Sequence, residues 1–177
     1  LFDMLLRRQV EEDGDVNFGD MDLESCAAQG REVAACFLAN VDPEEKILAI
    51  NHSFCVPLVT ADGTALSKPL VGEADCIVQN GKRAVVDWKS AGQRYSDQKV
   101  RTSLQATAML LGATRTFGPV DEFRFDLVVK LKKAPAFERY TTTRTEDDFH
   151  RLASLAQVAD RIVEAEAFAP NESGFAC

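Results

Sequence analysis

The residues best suited to chemistry lie between Lys68 and Gln105: Gly72-Glu73-Ala74-Asp75 in one apolar stretch, Val85-Val86-Asp87-Trp88-Lys89 in the next, then Leu104-Gln105. Residues two apart on a strand leave the same face, so Asp87 pairs with Lys89 and Glu73 with Asp75. Three carboxylates and one ammonium converging on a sheet make a hard, oxygen-rich site that suits Mg²⁺ or Mn²⁺ and not zinc or copper. Phosphodiester hydrolysis uses such a set: the ion polarises the phosphoryl group and acidifies a water, and a lysine stabilises the charge that develops. A lone D-x-K would more simply be an ordinary solvated strand face. Here Asp87 and Lys89 end the strongly apolar run Ala84-Val85-Val86, and a second acidic strand precedes them at hairpin distance, which favours the functional reading.

These residues need a scaffold, and the patterning supplies one. Residues 1–12 read as a helix with Phe2, Leu5 and Leu6 on one side, and 20–40 as a second, carrying Leu23, Ala27, Val33, Phe37 and Leu38 and broken by Asp42-Pro43. Strands are predicted over 47–59, 71–79 and 83–90, the last two joined through Asn80-Gly81, a strong hairpin signal. A single helix is predicted over 96–112. Phe123, Phe125, Leu127, Val129 and Leu131 alternate with Arg124, Asp126, Lys130 and Lys132, the pattern of a half-buried strand with an exposed end at Lys130, Lys132 and Lys133. Its antiparallel neighbour is expected over 137–144. Thr145 caps a last helix whose stripe is Phe149, Leu152, Leu155, Ala159 and Ile162, ended by Pro170. The order predicts one domain over 1–177, an α/β (α+β) sandwich around a central mixed β-sheet flanked by helices.

Composition bounds the class. With 177 residues, 46% hydrophobic, Gly 10 and Cys 5, collagenous, disordered and disulfide-scaffold classes are excluded. No apolar run approaches the roughly 20 residues of a membrane span, and no signal segment opens the chain. The expectation is a cytoplasmic protein with reduced, mostly buried thiols at Cys26, Cys36, Cys55 and Cys76. Leu1 in place of Met, and an end at Cys177, predict a piece of a longer protein. The net charge of -8 is a mild objection to a nucleic-acid partner, since net charge governs encounter more than a local site.

Gly-x-x-Asp on one strand, Asp-x-Lys at the end of the next and a helix bearing Gln resemble the RecB-type branch of the PD-(D/E)xK nucleases. That branch includes nuclease domains of recombination helicase-nucleases and CRISPR-associated exonucleases. The likeness covers residues 47–112, and the flanks agree in order of elements. It implies a restriction-endonuclease-like core and a Mg²⁺- or Mn²⁺-dependent deoxyribonuclease, an exonuclease acting on DNA in recombination, repair or defence, beside a helicase or other recombination or CRISPR proteins. It further implies Asp75 and Asp87 as metal ligands, the backbone carbonyl of Trp88 completing the shell, Lys89 as the catalytic lysine and Gln105 as the helix residue near the site. Glu73 is added as an assisting acid.

The sequence departs from the family pattern at two places. Met109 stands where many relatives have Tyr, and the opening helix has no His, the two histidines being His52 and His150. Either the first-helix residue precedes Leu1, the preferred expectation, or an acid such as Asp3 or Glu24 replaces it. Without it the fold could serve as an inactive DNA-binding or scaffolding module. Some relatives hold an iron–sulfur cluster through a C-terminal cysteine group, so Cys177 allows such a cluster in the parent protein only.

Other residues carry two readings. Gln98, Arg101 and Gln105 fall on one flank of the expected helix and, with Arg94, could contact a DNA backbone, or could be a solvated edge. Trp88 could stack a base, but its neighbours favour core. The register of the hairpin is decisive. A two-residue loop would set Asp75 and Asp87 on opposite faces, whereas a three-residue loop over 80–82 pairs Gln79 with Arg83, Ile77 with Val85, Asp75 with Asp87 and Glu73 with Lys89. The second register is predicted, with Gly81 at positive φ.

Overall fold

A computed structural model of the chain describes residues 2–14 and 16–168. Along the chain run α1 (Phe2–Asp13), α2 (Leu23–Leu38), β1 (Lys46–Val56), β2 (Leu70–Asn80), β3 (Lys82–Ala91), α3 (Asp97–Arg101), α4 (Leu104–Thr116), β4 (Glu122–Val129), β5 (Ala136–Thr142) and α5 (Glu146–Glu164). The strands form one sheet in the order β1-β2-β3-β4-β5. Neighbours are antiparallel except β3 and β4, which are parallel and therefore need a crossover, supplied by α3 and α4. The expected α/β architecture forms, with α4 on one face of the sheet, backed by α5, and α2 on the other, backed by α1.

The main core lies between the sheet and α4, where Phe54, Ile77, Val85, Leu110, Phe123 and Phe125 meet. Phe54 is its wedge. Its ring lies over Gly72 of β2 and Gly112 of α4, so closely that an added Cβ would come within 2.6 Å of the ring at Gly72 and 2.4 Å at Gly112. The Gly of the Gly-x-x-Asp motif thus has a packing reason. The α2 face is thinner, with a small cluster of Cys76, Val78, Ala84 and Val86.

Four expectations need correction. The helix expected over 96–112 is two helices, broken at Thr102 and Ser103, because Ser103 is extended (φ -62°, ψ 115°) and caps α4 by accepting the Ala106 amide. The strand read as half-buried, β4, is buried on both faces as far as Val129, because it is interior to the sheet. Its alternating charges are paired: Arg124 forks onto Glu45 at 2.5 and 2.7 Å, and Asp126 receives Arg139 at 2.8 and 3.0 Å. On α5 only Phe149 and Ala153 are buried, while Leu155, Ala159 and Ile162 are exposed, because α5 backs α4 only along its first turns. Among the described cysteines Cys76 alone is buried; Cys26 and Cys36 are half-buried on α2 and Cys55 is exposed on β1. Pro170 and Cys177 lie outside the described residues.

Thr145 is the N-cap of α5 as expected, and Asp148 Oδ2 accepts the Thr145 amide at 2.8 Å, which makes the cap a capping box. Lys130, Lys132 and Lys133 are exposed beyond the end of β4. The wedge also makes a prediction. An exposed Gly→Ala change in a helix gains about 1 kcal/mol of propensity, but Gly112→Ala should instead lose about 1–3 kcal/mol through overpacking against Phe54, read as a lower midpoint in urea unfolding.

Candidate active site

The hairpin that carries the two acidic motifs pairs Asn80 with Lys82, Gln79 with Arg83, Ile77 with Val85 and Cys76 with Val86, with Gly81 at φ +72°. This is the register expected for the odd loop. The pairs expected beyond it, Asp75 with Asp87 and Glu73 with Lys89, do not form, because the ladder ends at Cys76 and Val86. There Asp75 Oδ2 accepts the Trp88 amide at 3.3 Å, a side chain standing where a backbone carbonyl would have been. Meanwhile β2 continues on β1 to Leu70, and β3 continues on β4 to Ala91. The strand also changes phase: Ala74 and Ile77 reach the α4-side core, Cys76 and Val78 the opposite cluster.

Asp87 sits just past this parting and is 5% exposed. Its Oδ1 accepts both Lys89 Nζ at 2.8 Å and Gln105 Nε2 at 2.7 Å. Its Oδ2 is buried and has no hydrogen-bond partner. A buried carboxylate oxygen without a donor is costly and rare. Burial pushes the Asp87 carboxyl above the ordinary carboxylate range; the bond and charge of Lys89 oppose this, the nearby Asp75 charge adds to it, and the Gln105 bond opposes it again.

The other expected residues are distributed differently. Glu73 is exposed and accepts Ser53 Oγ at 2.9 Å across β1–β2, so it does not join Lys89. Trp88 is not core: it is 42% exposed and packs edge-on against Phe37 of α2, 5.8 Å between ring centroids. Arg94 is paired with Glu138. Gln98 and Arg101 are exposed on α3, and the helix break removes them from the flank of Gln105. Arg101 lines an open groove of about 650 Å³ with Lys82, Asp97 and Tyr140, away from Asp87. Asp3 and Glu24 are tied to Arg31 and Arg7 between α1 and α2. His52 bonds Thr116 and His150 bonds the Val59 carbonyl. The break that places Gln105 was legible in Ser103 standing before Leu104, an N-cap signature inside the longer apolar pattern.

A hard divalent cation fits this arrangement. The donors are oxygen only, and the partnerless Asp87 Oδ2 beside Asp75 is a place where a positive charge would relieve both burial and repulsion. Asp75, Asp87 and the Trp88 carbonyl are the groups that could hold it. Among the described residues no three of His, Cys, Asp or Glu come together as a metal cluster, so no third acid stands with these two. No helix among them is long and apolar enough to cross a membrane.

The class to which a mixed sheet with a paired Asp and Lys at its opened hairpin belongs is given by the family that the chain matches. The family model described as PD-(D/E)XK nuclease superfamily matches residues 8–177, and the chain belongs to that superfamily. No curated protein matches the chain. Among solved structures it shows a likeness to one titled "Crystal structure of SSO0001", with TM-score 0.42 and 13% identity over 88% of this chain and 84% of that one, a distance at which it carries no further argument.

The raised Asp87 carboxyl has a consequence for stability. An acid that holds its proton more tightly folded than unfolded favours folding at acid pH, and that contribution is lost as pH rises through the folded value. In chelator-containing buffer Asp87→Asn should therefore melt above the parent at neutral pH. The gap should close as pH falls toward about 4. Thermal unfolding across that range checks it, and a gap independent of pH would assign the effect to other groups.

Proposed function

We propose that this chain is a metal-dependent DNA nuclease of RecB-type exonuclease character, working in DNA recombination, repair or defence. The observation that carries the reading is the buried Asp87, with one oxygen held by Lys89 and Gln105 and the other without a partner beside Asp75. Membership of the superfamily supports it. When a Mg²⁺ or Mn²⁺ ion is held by Asp75, Asp87 and the Trp88 carbonyl, the chemistry it supplies is polarisation of the phosphodiester and acidification of a water.

The chain's own groups do the rest. Gln105 and Lys89 both bond Oδ1 of Asp87, which fixes the carboxylate plane and leaves Oδ2 for the ligand. The Lys89 side chain is about one-third exposed, so its Nζ can turn from Asp87 toward a phosphoryl oxygen and stabilise the charge that gathers there. Arg101 and Gln98 on α3 are exposed and free to meet a phosphate backbone further from the cut, whereas Arg94 would first have to leave Glu138. Glu73 takes no part.

A second reading has one observation in its favour. Asp3 and Glu24 are both engaged in ion pairs, and no third acid joins Asp75 and Asp87 among the described residues. A non-catalytic DNA-binding or scaffolding module would need no more than this. Cleavage of linear DNA in Mg²⁺ or Mn²⁺ separates the two: the nuclease reading expects cutting that Lys89→Ala lowers by about 10²–10³-fold. Binding without cutting in either ion gives the second reading.

Ion binding can be read without DNA. At 100 times its dissociation constant Mn²⁺ should add about 2.7 kcal/mol to stability, and Asp87→Asn should abolish most of the resulting rise in melting temperature. An equal rise in parent and variant would place the ion elsewhere.

A further inference from the structure

Arg144, in the turn between β5 and α5, uses all five of its N–H groups, and every acceptor is neutral. Nε donates to Thr107 Oγ1 at 2.7 Å, Nη1 to Thr142 Oγ1 at 2.6 Å and to the Thr143 carbonyl at 2.7 Å, and Nη2 to the carbonyls of Ser103 at 3.1 Å and Val100 at 3.4 Å. No carboxylate lies within ion-pair distance of it among the described residues. A half-buried cation whose bonds all go to neutral acceptors is expensive: burial lowers its proton affinity, and the charge of Asp148, which makes no ion pair with it, opposes this. Such an arrangement calls for a reason that a neutral side chain would not meet.

The reason lies in what the guanidinium touches. Val100 and Ser103 stand on either side of the break between α3 and α4. In an unbroken helix the Val100 carbonyl would accept the Leu104 amide; here it takes the Ser103 amide at 3.4 Å together with Nη2. The Ser103 carbonyl accepts the Thr107 amide at 3.3 Å, the Thr107 hydroxyl at 3.1 Å and Nη2. Thr107 is 6% exposed and lies in the same first turn as Gln105. The remaining bonds fasten this turn to the end of β5, hence to the sheet that carries Asp87.

We propose that Arg144 is a positioning residue: its guanidinium holds the α3–α4 break and thereby sets Gln105 against Asp87 Oδ1. Its consequence for catalysis rests on the nuclease reading; the clamp itself does not. Charge-assisted bonds to carbonyls are stronger than neutral ones, and a planar fork can hold two carbonyls and a hydroxyl at fixed angles where lysine or glutamine cannot.

The test uses the full chain and two variants, Arg144→Met and Thr107→Val, the second keeping the guanidinium and the side-chain volume while removing the hydroxyl between Arg144 and Ser103. The first readout is the Gln105 side-chain amide resonance, recorded without metal or DNA and assigned by its loss in Gln105→Ala. It should move toward the position of a free glutamine in Arg144→Met, and in the same direction by less in Thr107→Val, which also serves should Arg144→Met fail to fold. An unmoved resonance in a folded variant overturns the clamp. The second readout is DNA cleavage. Arg144→Met should lower kcat by about 10- to 100-fold with KM for DNA unchanged, and should add little to the loss already caused by Gln105→Ala. A raised KM, or fully additive losses, overturns the positioning role in favour of a phosphate contact or of general destabilisation. A parent chain that does not cut DNA at all overturns the nuclease reading and the catalytic consequence with it, while the resonance still decides the clamp.

Discussion

Past Val86 the inner edge of β3 has no further ladder partner on β2, because the two strands part there while each keeps its other neighbour. Had the hairpin stayed closed in this register, Asp75 and Asp87 would have stood directly opposite each other in a continuous ladder. Instead the Asp75 carboxylate takes the Trp88 amide and the strands open beside Asp87. Asp87 is buried beside this opening without a donor for both its oxygens, and the site's unusual electrostatics follow from that. Burial and the nearby Asp75 charge disfavour the ionised form, and the bonds from Lys89 and Gln105 support it at Oδ1 only.

An opening in the middle of a sheet must be held by what lies on its two faces. On the α4 face Phe54 wedges β1 against Gly72 and Gly112, which fixes how near the helix comes to the motif strand. On the other face Glu45, Arg124, Asp126 and Arg139 form a chain of ion pairs beside β4, buried at Arg124 and Asp126 and exposed at Arg139, and Asp126 stands opposite Trp88 in the parallel ladder. Breaking one partner of such a chain leaves an unpaired buried charge, so it resists shear between β3, β4 and β5 even where its net contribution to stability is small. Trp88 and Phe37 close part of this face, and a slot of about 360 Å³ beside them reaches Lys89 and Ser90.

The loop from β3 to β4 completes the site because it is interrupted. A single helix over this span would have carried Gln98, Arg101 and Gln105 along one flank. The break at Ser103 instead brings Gln105 alone into the first turn of α4 at Asp87, and leaves Gln98 and Arg101 exposed on a separate short helix. One half of the crossover then supports the carboxylate and the other faces solvent.

Much of this was legible in the sequence by itself. Apolar runs, the Asn80-Gly81 turn and the alternation over 123–131 located all five strands, and the hairpin register followed from requiring the acids of both motifs to share a face. Asp75, Asp87 and Lys89 stood out by type and spacing, and Gln105 through the resemblance to the nuclease family. What the sequence could not decide was contact between elements distant along the chain. The charges of β4 read as solvent-facing because their partners, Glu45 and Arg139, belong to other elements, and only the sheet order makes β4 interior. Glu73 read as a fourth member of the site because a ladder was assumed to continue; the parting of β2 from β3 is a property of the whole sheet, since each strand has another neighbour to follow. Arg144 carries no local signal at all. Its role comes from five acceptors scattered from Val100 to Thr143, and no periodicity along a chain records a convergence in space.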